Sequence, residues 1–101
     1  MERLPKLINL KVVDVKYPHD YLQIALSDGS MLSIFNKYIY SGTCLLKIKG
    51  KKIIIFKYFI DFIDITFEDR SSLLIGLKDS DYNGPEAMVL HQVGNAPVIW
   101  N

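Results

Sequence analysis

The side chains that could do metal or thiol chemistry are few, and their spacing does not assemble a site. The two histidines are His19 and His91, and neither has a second ligand-type residue two or four positions away. A zinc site needs three or four such ligands, so none is indicated. Cys44, the single cysteine, precedes Leu45 and Leu46, and we predict a buried or inert thiol there. The sequence predicts neither a metal nor a cofactor.

Catalytic patterns of other kinds are also weak. The sequence contains no GxxxxGK or GxGxxG loop for phosphates. The serines considered as nucleophiles fall in turn contexts, without the histidine partner that a nucleophile needs; they are Ser30, Ser41, Ser71 and Ser72. Asp61 and Asp64 could supply an acid/base pair, but their odd spacing would place them on opposite faces of one regular strand. We therefore predict that the chain is not an enzyme.

The charged residues are unevenly distributed along a chain whose net charge is only +1. Residues 1–57 carry ten of the twelve basic side chains and four acids, whereas residues 58–101 carry two basic side chains and seven acids. The basic segment 47–57 is typical of a lysine-protected edge strand or turn. Nucleic-acid contact through Lys47, Lys49, Lys51 and Lys52 is the alternative, but the interleaved aromatics of single-strand binders are missing.

The acidic half of the chain could bind a basic partner, because complementary charge speeds association and sets specificity. Tyrosine beside acids is a plausible anchor. Solvated turns and strand faces are the simpler interpretation. The residues that we predict to contact a partner protein are Asp61, Asp64, Glu68, Asp69, Asp79, Asp81, Tyr82 and Glu86.

Period-two alternation predicts β-strands that occur in two similar units. Segment 22–26 alternates, turns at 27–30 and returns at 31–35; segment 63–67 does the same and returns at 73–75. The shift of 41 residues that takes Asp28 to Asp69 also aligns the flanking strand residues. We expect a repeated unit of strand, link and hairpin. Arg70 stands where the first turn has Gly29, so a different second turn is expected.

The remaining segments complete an all-β, or β-rich α+β, domain that spans residues 1–101. Segment 87–100 predicts a last hairpin, 4–10 a short N-terminal helical turn, and 39–49 a linker or short strand. About eight antiparallel strands should form a small bent sheet, half-barrel or sandwich. Apolar stretches are too short for a signal peptide or membrane span, so we expect a cytoplasmic protein without a membrane partner.

Two motifs resemble a group of small bacterial proteins. These proteins carry a hairpin of alternating apolar residues with Ser-Asp-Gly-Ser-x-Leu at its turn, matched at 22–32 with Ile24 in one apolar position. They also carry a late Gly/Ser-Pro-Glu-Ala strand, matched at 84–87 and followed by 98–100. Some are similar to immunity proteins of contact-dependent growth inhibition and related polymorphic toxin systems. The resemblance implies an inhibitor that binds the C-terminal domain of a cognate toxin, such as a nuclease, and blocks its active site. It implies no catalytic residues and no particular binding surface. A small nucleic-acid-binding β domain and an interaction module without a toxin stay open as alternatives.

Overall fold

The computed structural model describes residues 6–18 and 20–101, which form an all-β sandwich of two antiparallel sheets. The five-stranded sheet has the order β1-β2-β3-β8-β9, and the four-stranded sheet has the order β4-β7-β6-β5. The strands are β1 Val12–Lys16, β2 Leu22–Leu26, β3 Met31–Ile34, β4 Tyr38–Ser41, β5 Ile53–Tyr58, β6 Phe62–Phe67, β7 Ser72–Gly76, β8 Met88–His91 and β9 Val98–Trp100.

The predicted hairpins are all present. β2 pairs with β3, β6 with β7, and β8 with β9. Alternate residues of β2 and β6 are buried, as the period of two predicts, and they meet in one core between the sheets. The described residues contain nine strands where about eight were expected, because segment 39–49 contributes most of β4 as well as a 3-10 helix at Leu45–Ile48.

The repeat is visible in the backbone. The β1–β2 ladder shifts register between Val12 and Asp14, and the β5–β6 ladder shifts between Ile53 and Ile55, which are the residues 41 positions on. A β-bulge bends a strand locally and re-aims its side chains. Two bulges at equivalent positions show that the two units share details of geometry as well as strand order.

Each of the two β-hairpin turns of the repeat is closed by an aspartate at the equivalent position. Asp28 accepts hydrogen bonds from the backbone N–H (2.9 Å) and the hydroxyl of Ser30. Asp69 accepts the same two bonds from Ser71, with 3.0 Å to the N–H. Such bonds from an aspartate to the backbone two residues on are characteristic of Asx turns.

The prediction that the second turn differs from the first is wrong. Arg70 has a φ of 70°, and Gly29 has a φ of 88°, so both adopt the left-handed conformation. Arginine carries a Cβ that disfavours this region, whereas glycine does not. The Asx bonds and the flanking strands hold the second turn in the first turn's shape in spite of that cost.

The two units meet through reciprocal backbone bonds. The Asn9 N–H donates to the Ile53 carbonyl at 2.7 Å, and the N–H of its equivalent, Gly50, donates to the Val12 carbonyl at 2.7 Å. The same pair of equivalent positions is therefore bonded in both directions between the units, as an approximate twofold axis requires. Within the described residues 6–10 the chain forms a turn that includes Asn9 rather than the expected helical turn; Leu4 and Pro5 lie outside the described residues.

The strand after each hairpin crosses to the other unit's sheet. β4 follows β3 but pairs with β7, and β8 follows β7 but pairs with β3. β8 is therefore an interior strand, flanked by β3 and β9, so residues 85–86 lead into the middle of the sheet rather than to its edge. This exchange brings the β3–β4 link and the β7–β8 link together at one end of the sandwich.

Candidate functional site

A cleft of about 860 Å³ opens at this end of the sandwich. It lies where β3 and β7 end and where β4 and β6 begin. Its apolar walls are formed by Ile34, Phe35, Tyr38, Ile39, Phe62 and Leu74. An apolar concavity with a few polar groups is the usual form of a binding site.

Asn36 lines the cleft and joins the two sheets. It follows β3, and its Nδ2 donates to the carbonyl of Gly76, at the end of β7, at 2.7 Å. Asn36 is only 2% exposed, and its Oδ1 is a buried acceptor that finds no hydrogen-bond partner among the described residues. The amide orientation is set by the Gly76 carbonyl, because the opposite orientation would place two acceptors together.

Three acidic and two basic residues line the cleft together with Asn36. They are Asp20, Asp61, Asp81, Lys37 and Lys78. The backbone holds the acidic loops in place: the Leu77 N–H donates to the Asp61 carbonyl at 2.8 Å, and the Lys37 N–H donates to the Asp81 carbonyl at 2.9 Å. Among the described residues no ion pair of 4.0 Å or less joins these lysines to these carboxylates.

The Asp81 side chain packs tightly at the cleft. It accepts a hydrogen bond from the Lys78 N–H at 3.2 Å. A Cβ at position 76 would overlap the Asp81 carboxylate, so the glycine allows this close approach. The position of the Asp81 charge therefore depends on Gly76.

Exposed apolar side chains extend the cleft along its rim. Ile60, at the tip of the β5–β6 hairpin, is 91% exposed, and Ile39 is 68% exposed. Phe59, also exposed, stacks on Phe62 with ring centroids 4.6 Å apart, and Phe62 lines the cleft. Neighbouring exposed apolar residues rimmed by charge are characteristic of an interaction surface.

The predicted partner-binding residues divide into two groups. Asp61 and Asp81 line the cleft, and Asp79 begins the 3-10 helix Asp79–Asp81. Tyr82 is half-buried and packs against the core. Glu86 lines a smaller depression of about 340 Å³ that shares Asp20 and Asn83 with the cleft. These five predicted residues lie on the cleft-lining loop before β6 and on the β7–β8 link.

The other three predicted residues lie away from the cleft. Asp64 is on the middle of β6, opposite Lys57, and accepts a bond from the Thr66 hydroxyl at 2.8 Å. Glu68 and Asp69 lie in the β6–β7 turn, at the far end of the strands, and both already accept hydrogen bonds within the chain. The Ser71 hydroxyl bond is the main cause that lowers the pKa of Asp69, with a smaller contribution from Lys51.

The fold does not keep the basic and acidic portions of the chain apart. Each sheet combines strands from residues 1–57 with strands from residues beyond 58. The Lys52 N–H donates to the Glu68 carboxylate at 3.0 Å, so the lysine segment lies beside the β6–β7 turn. β5 is an edge strand, as the lysine-rich segment predicts. The charges that bear on a binding site are therefore those that lie together at the cleft, and not the basic or acidic portion of the chain as a whole.

Sequence reasoning missed Asp20 and Asn36. Asp20 stands 41 residues before Asp61 and lines the same cleft, so the repeat contained a signal for it. Asn36 had no such signal: its equivalent in the second unit is Leu77. The burial of Asn36 comes from the junction between the sheets, which the local sequence does not define.

Two of the residues considered for thiol and metal chemistry lie among the described residues. Cys44 is exposed, so the prediction of a buried thiol is wrong, and its alternative, an inert thiol, stays a prediction. His91 is exposed at the end of β8, and His19 lies outside the described residues. In the part of the chain that the structure describes, no three histidine, cysteine or acidic side chains are grouped as a metal would require. Its helices are likewise too short to cross a membrane. In comparisons with known proteins, no family model, curated protein or solved structure matches this chain.

Proposed function

We propose that this chain is an immunity protein that binds a cognate bacterial toxin domain, in the cytoplasm, and blocks its active site. The observation that carries the proposal is the cleft end of the sandwich, where carboxylates surround an apolar depression with an exposed apolar rim. An interface core of apolar and aromatic side chains with charges around it is the usual anatomy of a protein-binding surface.

The sign of the charge indicates the kind of partner. Asp61 and Asp81 line the cleft, with Asp79 and Glu86 on adjoining segments. A nuclease presents cationic side chains to the phosphates of its substrate, and carboxylates on an inhibitor can occupy those positions. The SDGS hairpin and the GPEA segment at 84–87 add the sequence resemblance to immunity proteins.

Nucleic-acid binding through the lysine segment has less support. Lys51 and Lys52 lie beside Glu68 and Asp69, whose carboxylates offset part of the positive potential. No observation in the described residues favours this second function.

The test is co-expression with the product of the gene immediately upstream, followed by co-purification and titration calorimetry. We expect a stable complex and protection of cells from that product. Neutralising two of the three cleft carboxylates, Asp61→Asn with Asp81→Asn, should weaken binding by about 100-fold if the pairs are desolvated. The matched control, Asp64→Asn with Glu68→Gln, removes the same charge away from the cleft and should change affinity less than about threefold.

Two results would count against the proposal. The absence of any complex or protection would remove the toxin partner. Equal loss of affinity in both double variants would show that net charge, rather than the cleft, determines binding. Steeply salt-dependent retention on RNA or DNA would favour the nucleic-acid alternative.

A further inference from the structure

We propose that the cleft receives one arginine side chain of the partner protein, with Asn36 Oδ1 as an acceptor for its guanidinium. The identity of the occupant as part of a partner protein rests on the proposed function. The preference for a guanidinium rests on the cleft itself.

The first argument is the buried amide oxygen. Asn36 lines the cleft, is 2% exposed, and leaves Oδ1 without a partner among the described residues. A buried acceptor without a donor loses its hydrogen bonds to water without replacement, so native proteins rarely retain one. Because Oδ1 itself is buried, a donor reaches it only with a local movement of the surrounding side chains, and a ligand that brings such a donor would then remove that loss on binding.

The second argument is the charge around the amide. Carboxylates accept hydrogen bonds but cannot donate them. Asp81 accepts one from the Lys78 N–H, and the remaining acceptor positions of Asp20, Asp61 and Asp81 require donors from a ligand or from water. Lys37 and Lys78 also line the cleft, and they reduce the three negative charges to a net charge of −1. One cationic group balances that charge, whereas a cluster of cations would exceed it.

The third argument separates arginine from lysine. The cleft walls include the rings of Phe35 and Phe62 and the aliphatic side chains of Ile34 and Leu74. A guanidinium is planar and weakly hydrated, stacks on aromatic faces, and offers five donors in fixed directions. A lysine ammonium is compact and strongly hydrated, so it gains less from a cleft that is mostly apolar.

The experiment is a titration of the whole ¹⁵N-labelled chain with N-acetyl-arginine amide, followed by NMR. We expect saturable shifts of the Asn36 side-chain amide and of the backbone amides of Lys37 and Gly76. The dissociation constant should be of millimolar order, as expected for a small isolated group. N-acetyl-citrulline amide, which is neutral and nearly the same shape, and N-acetyl-lysine amide should each bind at least about tenfold more weakly.

Two variants keep the test informative. Asn36→Ala should abolish the saturable shifts, but it also removes the bond to Gly76 and could unfold the chain. Asp61→Asn with Asp81→Asn leaves Asn36 in place and should weaken arginine binding at least about tenfold. The proposal is overturned if no saturable shift occurs up to about 50 mM probe, or if citrulline and arginine bind equally. Either result would show that the cleft does not recognise the charged guanidinium.

The outcomes distinguish this inference from the proposed function. If the upstream product binds and neither Asn36→Ala nor the double variant weakens the complex, the toxin partner stands and the arginine site is wrong. If arginine saturates the cleft with the expected selectivity but no toxin is bound or neutralised, the guanidinium site stands and the immunity function is wrong. Loss of toxin binding on replacing one exposed toxin arginine by glutamine would support both.

Discussion

Replacing Arg70 by glycine should stabilise the protein, although the substitution removes a side chain and adds no contact. Arg70 has a φ of 70° in the β6–β7 turn. The left-handed conformation costs an L-residue about 1–2 kcal/mol relative to the right-handed one. Glycine avoids this cost but lowers stability by about 0.4–1 kcal/mol, because it increases the conformational entropy of the unfolded chain. The net expectation for Arg70→Gly is a gain of about 0.5–1 kcal/mol.

The first turn provides the reverse experiment. Gly29 has a φ of 88°, and a Cβ there would lie 3.2 Å from Cγ2 of Val93, which is exposed and able to shift. Gly29→Ala should therefore cost about 1 kcal/mol, mainly through the backbone. Arg70→Ala is the matched control: it removes the guanidinium and retains a Cβ, so stability should change by less than about 0.5 kcal/mol.

Urea unfolding at neutral pH measures the free energy of unfolding of all three variants. In thermal unfolding, a change of 1 kcal/mol should move the melting temperature of a domain of this size by about 4–8 °C. The reasoning is refuted if Arg70→Gly is destabilising while Arg70→Ala is neutral, because the backbone term would then have the wrong sign. If Arg70→Ala is itself strongly destabilising, the guanidinium makes an important contact and the comparison of backbone conformations fails.

Three further predictions concern single side chains. The hydroxyl bond from Ser71 lowers the pKa of Asp69. The stability that this carboxylate contributes is therefore present above its ordinary pKa and is lost as the pH falls through the lowered pKa. Ser71→Ala should raise the Asp69 pKa in an NMR titration, and an unchanged value would contradict the assignment. Gly76→Ala should displace the Asp81 carboxylate, shift the Asp81 NMR signals and destabilise the protein by about 1–3 kcal/mol, because the added Cβ would also lie 2.9 Å from the Asp81 Cβ, which moves only with the backbone. Unchanged signals would disprove the tight packing. Ile60→Ser should leave the unfolding free energy within about 0.5 kcal/mol, because Ile60 is 91% exposed, and should shorten retention on a hydrophobic column; unfolding of the variant would show a structural role.

The sequence predicts the local parts of this fold well because each depends on neighbouring residues. Alternation marks β2 and β6, and the aspartate-to-serine spacing marks both turns. The second turn shows the limit of that approach. Arginine at position 70 indicates a different turn, but two Asx bonds and the paired strands stabilise the same one. Tertiary constraints outweigh a backbone preference of about 1–2 kcal/mol.

The exchange of β4 and β8 could not be predicted, since the two links that precede them differ in length. Three residues separate β3 from β4, whereas eleven separate β7 from β8, so the constant shift of 41 residues is lost at this point of the chain. Without that register, nothing in the sequence shows that each strand pairs with the other unit. The same exchange brings residues 35–37 against residues 76–83 and creates the cleft. The chemistry therefore lies where the repeat breaks, and a sequence search guided by charge finds Asp61 and Asp81 while missing Asn36, whose buried amide holds the two sheets together.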